Sequence, residues 1–254
     1  MSGIGVAPKV RVERVSRTYR RGRREEVALD AVSLDVLPGE LVCLLGPSGC
    51  GKSTLLNIIA GLDRPTTGEV CIDGDVVIGP GADRGMVFQA YSLFPWRTVA
   101  GNLEYGLEIA RVPTTRRRER VAELLEILNL HKHSDRLPRE LSGGMRQRVA
   151  IGRALATEPD VLLLDEPFAA LDAQTRRSMQ DFLLSVWRRT QCTIVMVTHD
   201  VEEAIYLSSR ICVLSTGPGR IANEVTVPFG ARNASVLRDP RFLDLRDELS
   251  AMVA

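Results

Sequence analysis

One short glycine-rich run contains residue types suited to holding phosphate. It matches the pattern G-x-x-x-x-G-K-[S/T] and reads Gly46, Pro47, Ser48, Gly49, Cys50, Gly51, Lys52, Ser53 and Thr54. Glycines let backbone N–H groups turn towards phosphate oxygens, and the N-terminus of a following helix adds partial positive charge. Lys52 can reach the terminal phosphates of a nucleotide, and Ser53 can offer its hydroxyl to Mg²⁺. We therefore predict a nucleotide site here. The alternative is a glycine turn that merely precedes a helix.

Two carboxylates follow a second apolar run. Val161–Leu164 is continuous and apolar, and Asp165 and Glu166 come directly after it. An acidic residue that ends a buried strand beside a phosphate loop can hold Mg²⁺, and we assign this role to Asp165. Glu166 could polarise the attacking water as a general base. The alternative is that both carboxylates only begin a surface loop.

The elements that must position these side chains alternate along the chain. Short Val- and Leu-rich alternations between Lys9 and Val36 predict a small antiparallel sheet. Leu41–Leu45 and Thr193–Val197 are typical of buried parallel strands, and a helix is expected from about Lys52 to Ala60. The stretch from about 97 to 155 has the apolar spacing of helices. We predict an α/β P-loop fold whose parallel-sheet core has the helical stretch inserted into it.

Further motifs resemble those of the ABC ATPase family, and they follow one another along the chain in the same order as in that family. Leu141–Gln147 reads L-S-G-G-M-R-Q and looks like the family's signature motif. The other matches are Gln89 (Q-loop glutamine), Ala169–Asp172 (D-loop), His199 (switch histidine) and Tyr19 (the aromatic residue that stacks on adenine). The resemblance covers about Val10 to Arg220. It departs from the family at Ala169, where serine is common, which puts details of communication between subunits in question.

The resemblance implies a role for each matched residue, with ATP and Mg²⁺ as the ligands. Besides the glycine-rich run, the residues implied to contact ATP are Tyr19, Gln89, Ser142, Gly143, Gly144 and Asp172. The residues implied to hold Mg²⁺ are Ser53, Gln89 and Asp165, and those implied in hydrolysis are Lys52, Gln89, Glu166 and His199. Residues 8–230 are expected to form the ATPase domain with its helical insertion at about 97–155. Residues 231–254 are then a short tail with a helix from about Arg238.

The signature residues have a physical meaning of their own. Ser142 can cap a helix from about Met145 to Leu155, and the glycines beside it allow a phosphate to approach the helix start. The chain thus has two helix ends suited to anions, although one ATP has a single γ-phosphate. In the family, two copies pair head to tail and the signature of one closes on the ATP of the other. The alternative is an ordinary capped helix.

Composition limits the partners and the location. The 33 Lys and Arg residues almost balance the 32 Asp and Glu residues, which argues against a protein that coats nucleic acid. Five dispersed cysteines without metal-like spacing are typical of reduced thiols in a cytosolic protein, and Cys50, at a helix start, is a candidate reactive thiol. The apolar runs are too short to span a bilayer, so another chain must supply any membrane segment.

Two classes of ABC protein remain in competition. Repair ATPases insert a long coiled coil between the phosphate loop and the signature, whereas only about ninety residues separate Gly51 from Leu141 here. Translation ATPases usually carry two ATPase domains, whereas this chain contains one set of motifs. This favours a transport subunit on the cytoplasmic face of the membrane, with permease chains as partners and, indirectly, a substrate-binding protein. Residues 92–99, 171–176 and 217–221 resemble the nitrate/sulfonate/taurine importer subfamily. The expected cargo is a small oxyanion or zwitterion.

An aromatic cluster follows Gln89. Tyr91, Phe94 and Trp96 lie within six residues of a chain that is only 5% aromatic. Large rigid side chains are enriched at protein interfaces, where they fill pockets. We predict that this loop receives a helix of the permease. The alternative is that Phe94 and Trp96 are ordinary core under the helical stretch.

Overall fold

A computed structural model describes residues 6–22, 24–230, 232–233 and 235–253. In chain order the strands are β1 (Val10–Arg21), β2 (Arg24–Val36), β3 (Leu41–Leu45), β4 (Thr67–Ile72), β5 (Asp75–Val76), β6 (Arg84–Val87), β7 (Val161–Asp165), β8 (Thr193–Thr198), β9 (Arg210–Leu214) and β10 (Ile221–Thr226). The α-helices are α1 (Lys52–Ile59), α2 (Val99–Ile109), α3 (Thr114–Leu128), α4 (Gly143–Leu155), α5 (Ala173–Thr190), α6 (Val201–Leu207) and α7 (Pro240–Val253). Three short 3₁₀ helices lie at His131–His133, Pro138–Glu140 and Val236–Arg238.

The chain divides into two compact units. One unit contains Met1–Gly81 and Gln191–Ala254, and the other contains Ala82–Thr190. The second unit holds the stretch expected to be helical, now seen as α2, α3 and α4, together with β6, β7 and α5. None of the helices in the described ranges combines the length and the apolar character needed to cross a bilayer.

The first unit begins with the expected antiparallel sheet. The strand order is β2-β1-β4-β5, and β1 pairs with β2 from Val10↔Val36 onward. Val10 and Val12 of β1 are buried, as the alternation in the sequence requires, and a register shift between Val12 and Val15 allows Val15 to be buried as well. The prediction of a sheet between Lys9 and Val36 is confirmed, and β4 and β5 extend it.

The same unit contains a largely parallel sheet that carries the glycine-rich run. β3 pairs in parallel with β8 on one side and with β9 on the other, and β10 pairs antiparallel with β9. All residues of β3 and β8 are buried, which explains their continuous apolar sequences. α1 follows β3, and α6 follows β8. α7 buries Phe242 and Leu249 and lies against α6.

The second unit combines the parallel pair β6–β7 with a group of helices. β6 and β7 are in register from Arg84↔Val161 to Val87↔Leu164. α4 lies close against β6, because a Cβ atom on Gly85 would be 2.5 Å from the Ala154 carbonyl oxygen. α4 also packs tightly on α2 and α3 at Gly152. This packing fixes the helix that begins at the signature motif.

Candidate nucleotide site

The glycine-rich loop connects the buried strand β3 with helix α1. Two of its residues, Gly49 and Gly51, have left-handed backbones with φ of 81° and 95°, a conformation that glycine adopts without steric cost. Lys52 is only 5% exposed. Its Nζ donates hydrogen bonds of 2.8 Å to the carbonyl oxygens of Gly46 and of Pro47. The lysine is therefore held across the base of the loop.

The loop is shaped to admit an anion. A Cβ atom on Gly51 would lie 2.7 Å from the Ala28 carbonyl oxygen, so the loop packs closely at its base, whereas nothing lies within 4 Å of such an atom on Gly49. Ser48 is exposed, as is Gly49. α1 has no side-chain cap at its N-terminus, in contrast to α2, which Thr98 caps. An open tip, an uncapped helix end and a buried lysine together fit a nucleotide phosphate.

Cys50 belongs to this loop but is shielded. The side chain is 1% exposed, and its Sγ accepts a hydrogen bond of 3.7 Å from Lys52 Nζ. Cys71 is half-buried, while the other four cysteines are buried. The expectation of a preferentially reactive Cys50 is therefore wrong for reagents in solvent. The loop uses the residue as a small buried side chain.

Tyr19 lies in β1 with its ring held from two sides. Its hydroxyl donates a hydrogen bond of 2.8 Å to Asp63 Oδ2, and the Arg17 guanidinium lies 4.5 Å from the ring centroid. Arg17 also forms an ion pair of 2.7 Å with Asp63. An adenine would have to stack on the ring face opposite Arg17. Arg17 is two residues before Tyr19 in the same strand, whereas Asp63 is 44 residues away and no sequence pattern links it to Tyr19.

His199 directly follows β8 and is exposed. The next residue, Asp200, caps α6 by accepting a hydrogen bond of 3.0 Å from the Glu203 backbone amide. This cap fixes the direction in which the chain leaves β8. The histidine therefore lies at a carboxyl end of the parallel sheet, where ligands of α/β proteins bind. The first unit thus contains the phosphate loop, Tyr19 and His199.

In the second unit, the acidic pair at the end of β7 lies beside the Q-loop glutamine. Asp165 is the last residue of β7, and both it and Glu166 are half-buried. Gln89 Nε2 donates a hydrogen bond of 3.4 Å to Glu166 Oε2. Glu166 has a left-handed backbone with φ of 42°. Such strain in a residue other than glycine is concentrated at functional sites.

The signature residues lie against the D-loop of the same chain. Ser142 Oγ caps α4 by accepting a hydrogen bond of 3.3 Å from the Met145 amide. Cβ atoms placed on Gly143 and Gly144 would lie 3.3 Å from Leu171 Cδ2 and 2.8 Å from Thr175 Cγ2. The two glycines therefore allow the D-loop and α5 to approach the start of α4.

Asp172, in the D-loop, immediately precedes α5. Its Oδ1 accepts a hydrogen bond of 3.0 Å from the Thr175 amide. Hydrogen bonds from the side chain and the backbone of Thr175 lower the pKa of the Asp172 carboxyl. Asp172 is therefore ionised at neutral pH, and it sits at the N-terminus of α5, where negative charge is favoured.

The glycine-rich loop between a buried parallel strand and a helix, with Lys52 across its base, defines a P-loop nucleotide-binding protein. The family model described as ABC transporter matches residues 29–169. The chain belongs to the ABC transporter family. As a member of that family it is an ATP-binding ATPase, and its ligands are ATP and Mg²⁺.

Similar proteins agree with this assignment over most of the chain. The nitrate import ATP-binding protein NrtD of Synechocystis sp. is 48% identical, with 94% of this chain and 92% of that protein covered. The taurine import ATP-binding protein TauB of Pseudomonas putida is 44% identical, with 95% of this chain and 94% of that protein covered. A dimeric post-hydrolysis structure of the ATP-binding cassette MJ0796 bound to ADP and Pi has a TM-score of 0.76 at 36% identity; the match covers 87% of this chain and all of that one. The fold is that of the ABC ATPases.

Proposed function

We propose that the chain is the ATP-hydrolysing subunit that energises a membrane importer. The observation that carries the proposal is the open phosphate loop with Lys52 held across its base. We assign residues 8–230 to the ATPase domain, about 97–155 to its helical insertion and 231–254 to a tail. As such a subunit, the chain works at the cytoplasmic face of the membrane, bound to permease chains.

Lys52 is poised to exchange its partners when ATP binds. Its ammonium group now donates to two loop carbonyl oxygens, and a phosphate oxygen is a stronger, charged acceptor. Ser53, Gln89 and Asp165 supply the hydroxyl, amide and carboxylate oxygens that Mg²⁺ prefers. Bound there, Mg²⁺ would supply positive charge opposite the phosphate oxygens.

Hydrolysis requires a base, and Glu166 is our candidate. A water oxygen attacks the γ-phosphorus, Glu166 accepts a proton from that water, and the bond to the bridging oxygen of ADP breaks. Gln89, which is hydrogen-bonded to Glu166, orients the water. His199 stabilises the negative charge on the γ-phosphate oxygens.

A second copy of the chain completes the site. Ser142, Gly143, Gly144 and Asp172 of one copy act on the ATP held by the phosphate loop of the other. Two observations support this: Ser142 caps α4 with glycines behind it, and a solved relative is a dimer bound to ADP and Pi. ATP then closes the pair, and hydrolysis reopens it.

Size-exclusion chromatography tests the pairing. Glu166→Gln keeps the shape and one hydrogen-bonding face of the side chain but removes the base, so ATP should bind and remain. With Mg-ATP, this variant should elute at twice the monomer mass. Glu166→Gln combined with Lys52→Ala is the matched control and should remain monomeric. If Glu166→Gln stays monomeric with ATP both alone and in the assembled transporter, the two-copy site is wrong.

For the cargo we propose a small oxyanion or zwitterion such as nitrate, a sulfonate or taurine, delivered by a substrate-binding protein. The support is the similarity to NrtD and TauB over more than nine-tenths of this chain. Uptake of labelled nitrate and taurine by cells that lack the gene, with and without the chain restored, tests the cargo. Restoration with Lys52→Ala is the control. Uptake of both solutes that is unaffected by the deletion would exclude both.

A further inference from the structure

The aromatic segment, residues 91–96, is anchored to α2 at its end. Asn102 of α2 is 0% exposed. Its Oδ1 accepts a hydrogen bond of 2.9 Å from the Phe94 amide, and its Nδ2 donates to the carbonyl oxygens of Phe94, Arg97 and Thr98 at 2.9–3.2 Å. One buried carboxamide thus lies within hydrogen-bond distance of four backbone groups, with the two N–H donors shared among three carbonyl oxygens. The end of the segment therefore moves with α2.

The beginning of the segment is anchored to α4 by Arg153. Its Nη1 donates a hydrogen bond of 2.6 Å to the Ser92 carbonyl oxygen, and its Nη2 donates one of 3.5 Å to that of Tyr91. The guanidinium also lies 5.3 Å from the centroid of the Phe94 ring, within cation–π range. Partial burial of the guanidinium lowers the pKa of Arg153. Ser92 has a left-handed backbone with φ of 49°, a conformation that persists only where surrounding contacts hold it.

A third contact lies closer to the signature. The Arg146 guanidinium is 5.4 Å from the centroid of the Tyr91 ring, and the Tyr91 hydroxyl oxygen would lie 3.4 Å from a Cβ atom on Gly143. Gly143, Arg146 and Arg153 are three and seven residues apart, which places them on one face of α4. The aromatic segment therefore lies along α4 from its first turn to Arg153.

We propose that Arg153 is a positioning residue that joins the aromatic segment to the signature end of α4, so that the two move as one body. The proposal rests on the proposed function, in which the signature closes on the partner's ATP, and on the sequence-based prediction that the segment receives a permease helix. A displacement of the segment is passed through Arg153 and α4 to Ser142 and Gly143. A mobile loop at the same place would absorb it.

Trp96 makes one end of this connection measurable. The chain has two tryptophans, Trp96 and Trp187, so Trp187→Phe leaves Trp96 as the only fluorophore of its kind. In that background, Arg153→Met removes the hydrogen bonds and the charge but keeps most of the side-chain length. The anisotropy of Trp96 fluorescence should fall because the segment loses its anchor on α4.

ATP turnover measures the other end. A displaced signature should lower kcat about tenfold, a factor matching the loss of one charged hydrogen bond. The dissociation constant for ATP on the monomer should stay within about twofold, because the phosphate loop lies in the other unit. Arg153→Lys keeps the charge and one donor and should recover part of both readouts. Arg118→Met, on the exposed side of α3, is the matched control and should change neither.

Three results would overturn the proposal. The first is that Arg153→Met leaves the Trp96 anisotropy unchanged. The second is that it lowers the anisotropy but leaves kcat unchanged. The third is that both Arg153 variants lose ATP affinity by the same factor as they lose kcat. If Arg153→Met does not fold, Arg153→Lys is measured with the same readouts and the same criteria. All of these measurements use the purified chain without a permease. Failure of the permease assignment would therefore be seen separately, as membrane association that does not depend on Trp96.

Discussion

Truncation of Trp96 separates an interface from a core more clearly than any other change in the aromatic segment. The side chain is 74% exposed, so only about a quarter of its roughly 250 Å² is removed from water in the folded chain. At about 25 cal/mol per Å², Trp96→Ala should cost no more than about 1.5 kcal/mol in the free energy of unfolding. The alternative that Trp96 is core therefore fails on exposure alone.

Phe94 behaves differently because it is half-buried. Its ring centroid lies 4.4 Å from that of Tyr105 and 5.7 Å from that of Trp96, and Arg153 covers it. Phe94→Ala should cost about 3 kcal/mol, near the lower end for phenylalanine truncation. Phe94 therefore packs inside the segment, where it contacts the Trp96 ring. We accordingly assign Trp96, and not Phe94, to the interface with the permease.

The assay compares unfolding in urea with membrane association. In cells that contain the permease, Trp96→Ala should leave the membrane fraction while retaining most of its free energy of unfolding. Ile109→Ala, which removes another exposed apolar side chain from the same unit, is the control and should stay associated. A loss of about 3 kcal/mol or more in Trp96→Ala, or unchanged membrane association, would refute the reasoning.

Three further changes have defined outcomes. Lys52→Ala should abolish ATP binding measured by calorimetry while circular dichroism remains unchanged, because the phosphates lose their buried counter-charge; wild-type affinity would contradict the loop assignment. Among the five cysteines, Cys71 should react first with maleimide, because it is half-buried and the other four are buried. Desolvation raises the pKa of Cys71, so its labelling rate should rise with pH over a higher range than that of an ordinary thiol. Earlier labelling of Cys50 in peptide mass spectra would contradict its burial. Gln147 is 0% exposed, and its Nε2 and Oε1 have no hydrogen-bond partner among the residues described. Gln147→Met should therefore raise the free energy of unfolding by about 1 kcal/mol. A decrease of similar size in the free energy of unfolding would show that the amide is hydrogen-bonded in the folded chain.

The fold could be predicted where local sequence decides local structure. β3 and β8 are continuous apolar runs, and their prediction from Leu41–Leu45 and Thr193–Val197 is confirmed to within one residue. The helix after the phosphate loop begins at Lys52 as expected and ends at Ile59. β6 gave no such signal, because Arg84-Gly85 resembles a turn. β10 is mostly exposed and lacks an apolar run.

The parts of the site that sequence reasoning missed are contacts between distant positions. Arg153 bonds to Ser92 across 61 residues, and Tyr19 bonds to Asp63 across 44. No periodicity reports such pairs, because tertiary packing alone brings them together. Cys50 shows the same limit: its place at a helix start suggested reactivity, whereas burial decides its access to reagents. Gln89 and Glu166, 77 residues apart, could be matched only through the family's motif order.

The rate of phosphate release from ATP by the purified chain tests the central claim most directly. The wild-type chain should hydrolyse ATP in the presence of Mg²⁺ and lose this activity with EDTA. Glu166→Gln should retain ATP affinity within about threefold but lose at least about a hundredfold in kcat, the lower range for a positioned general base. Turnover by Glu166→Gln at the wild-type rate would contradict the assignment of Glu166, and Mg²⁺-independent or absent turnover in the wild-type chain would contradict the account as a whole.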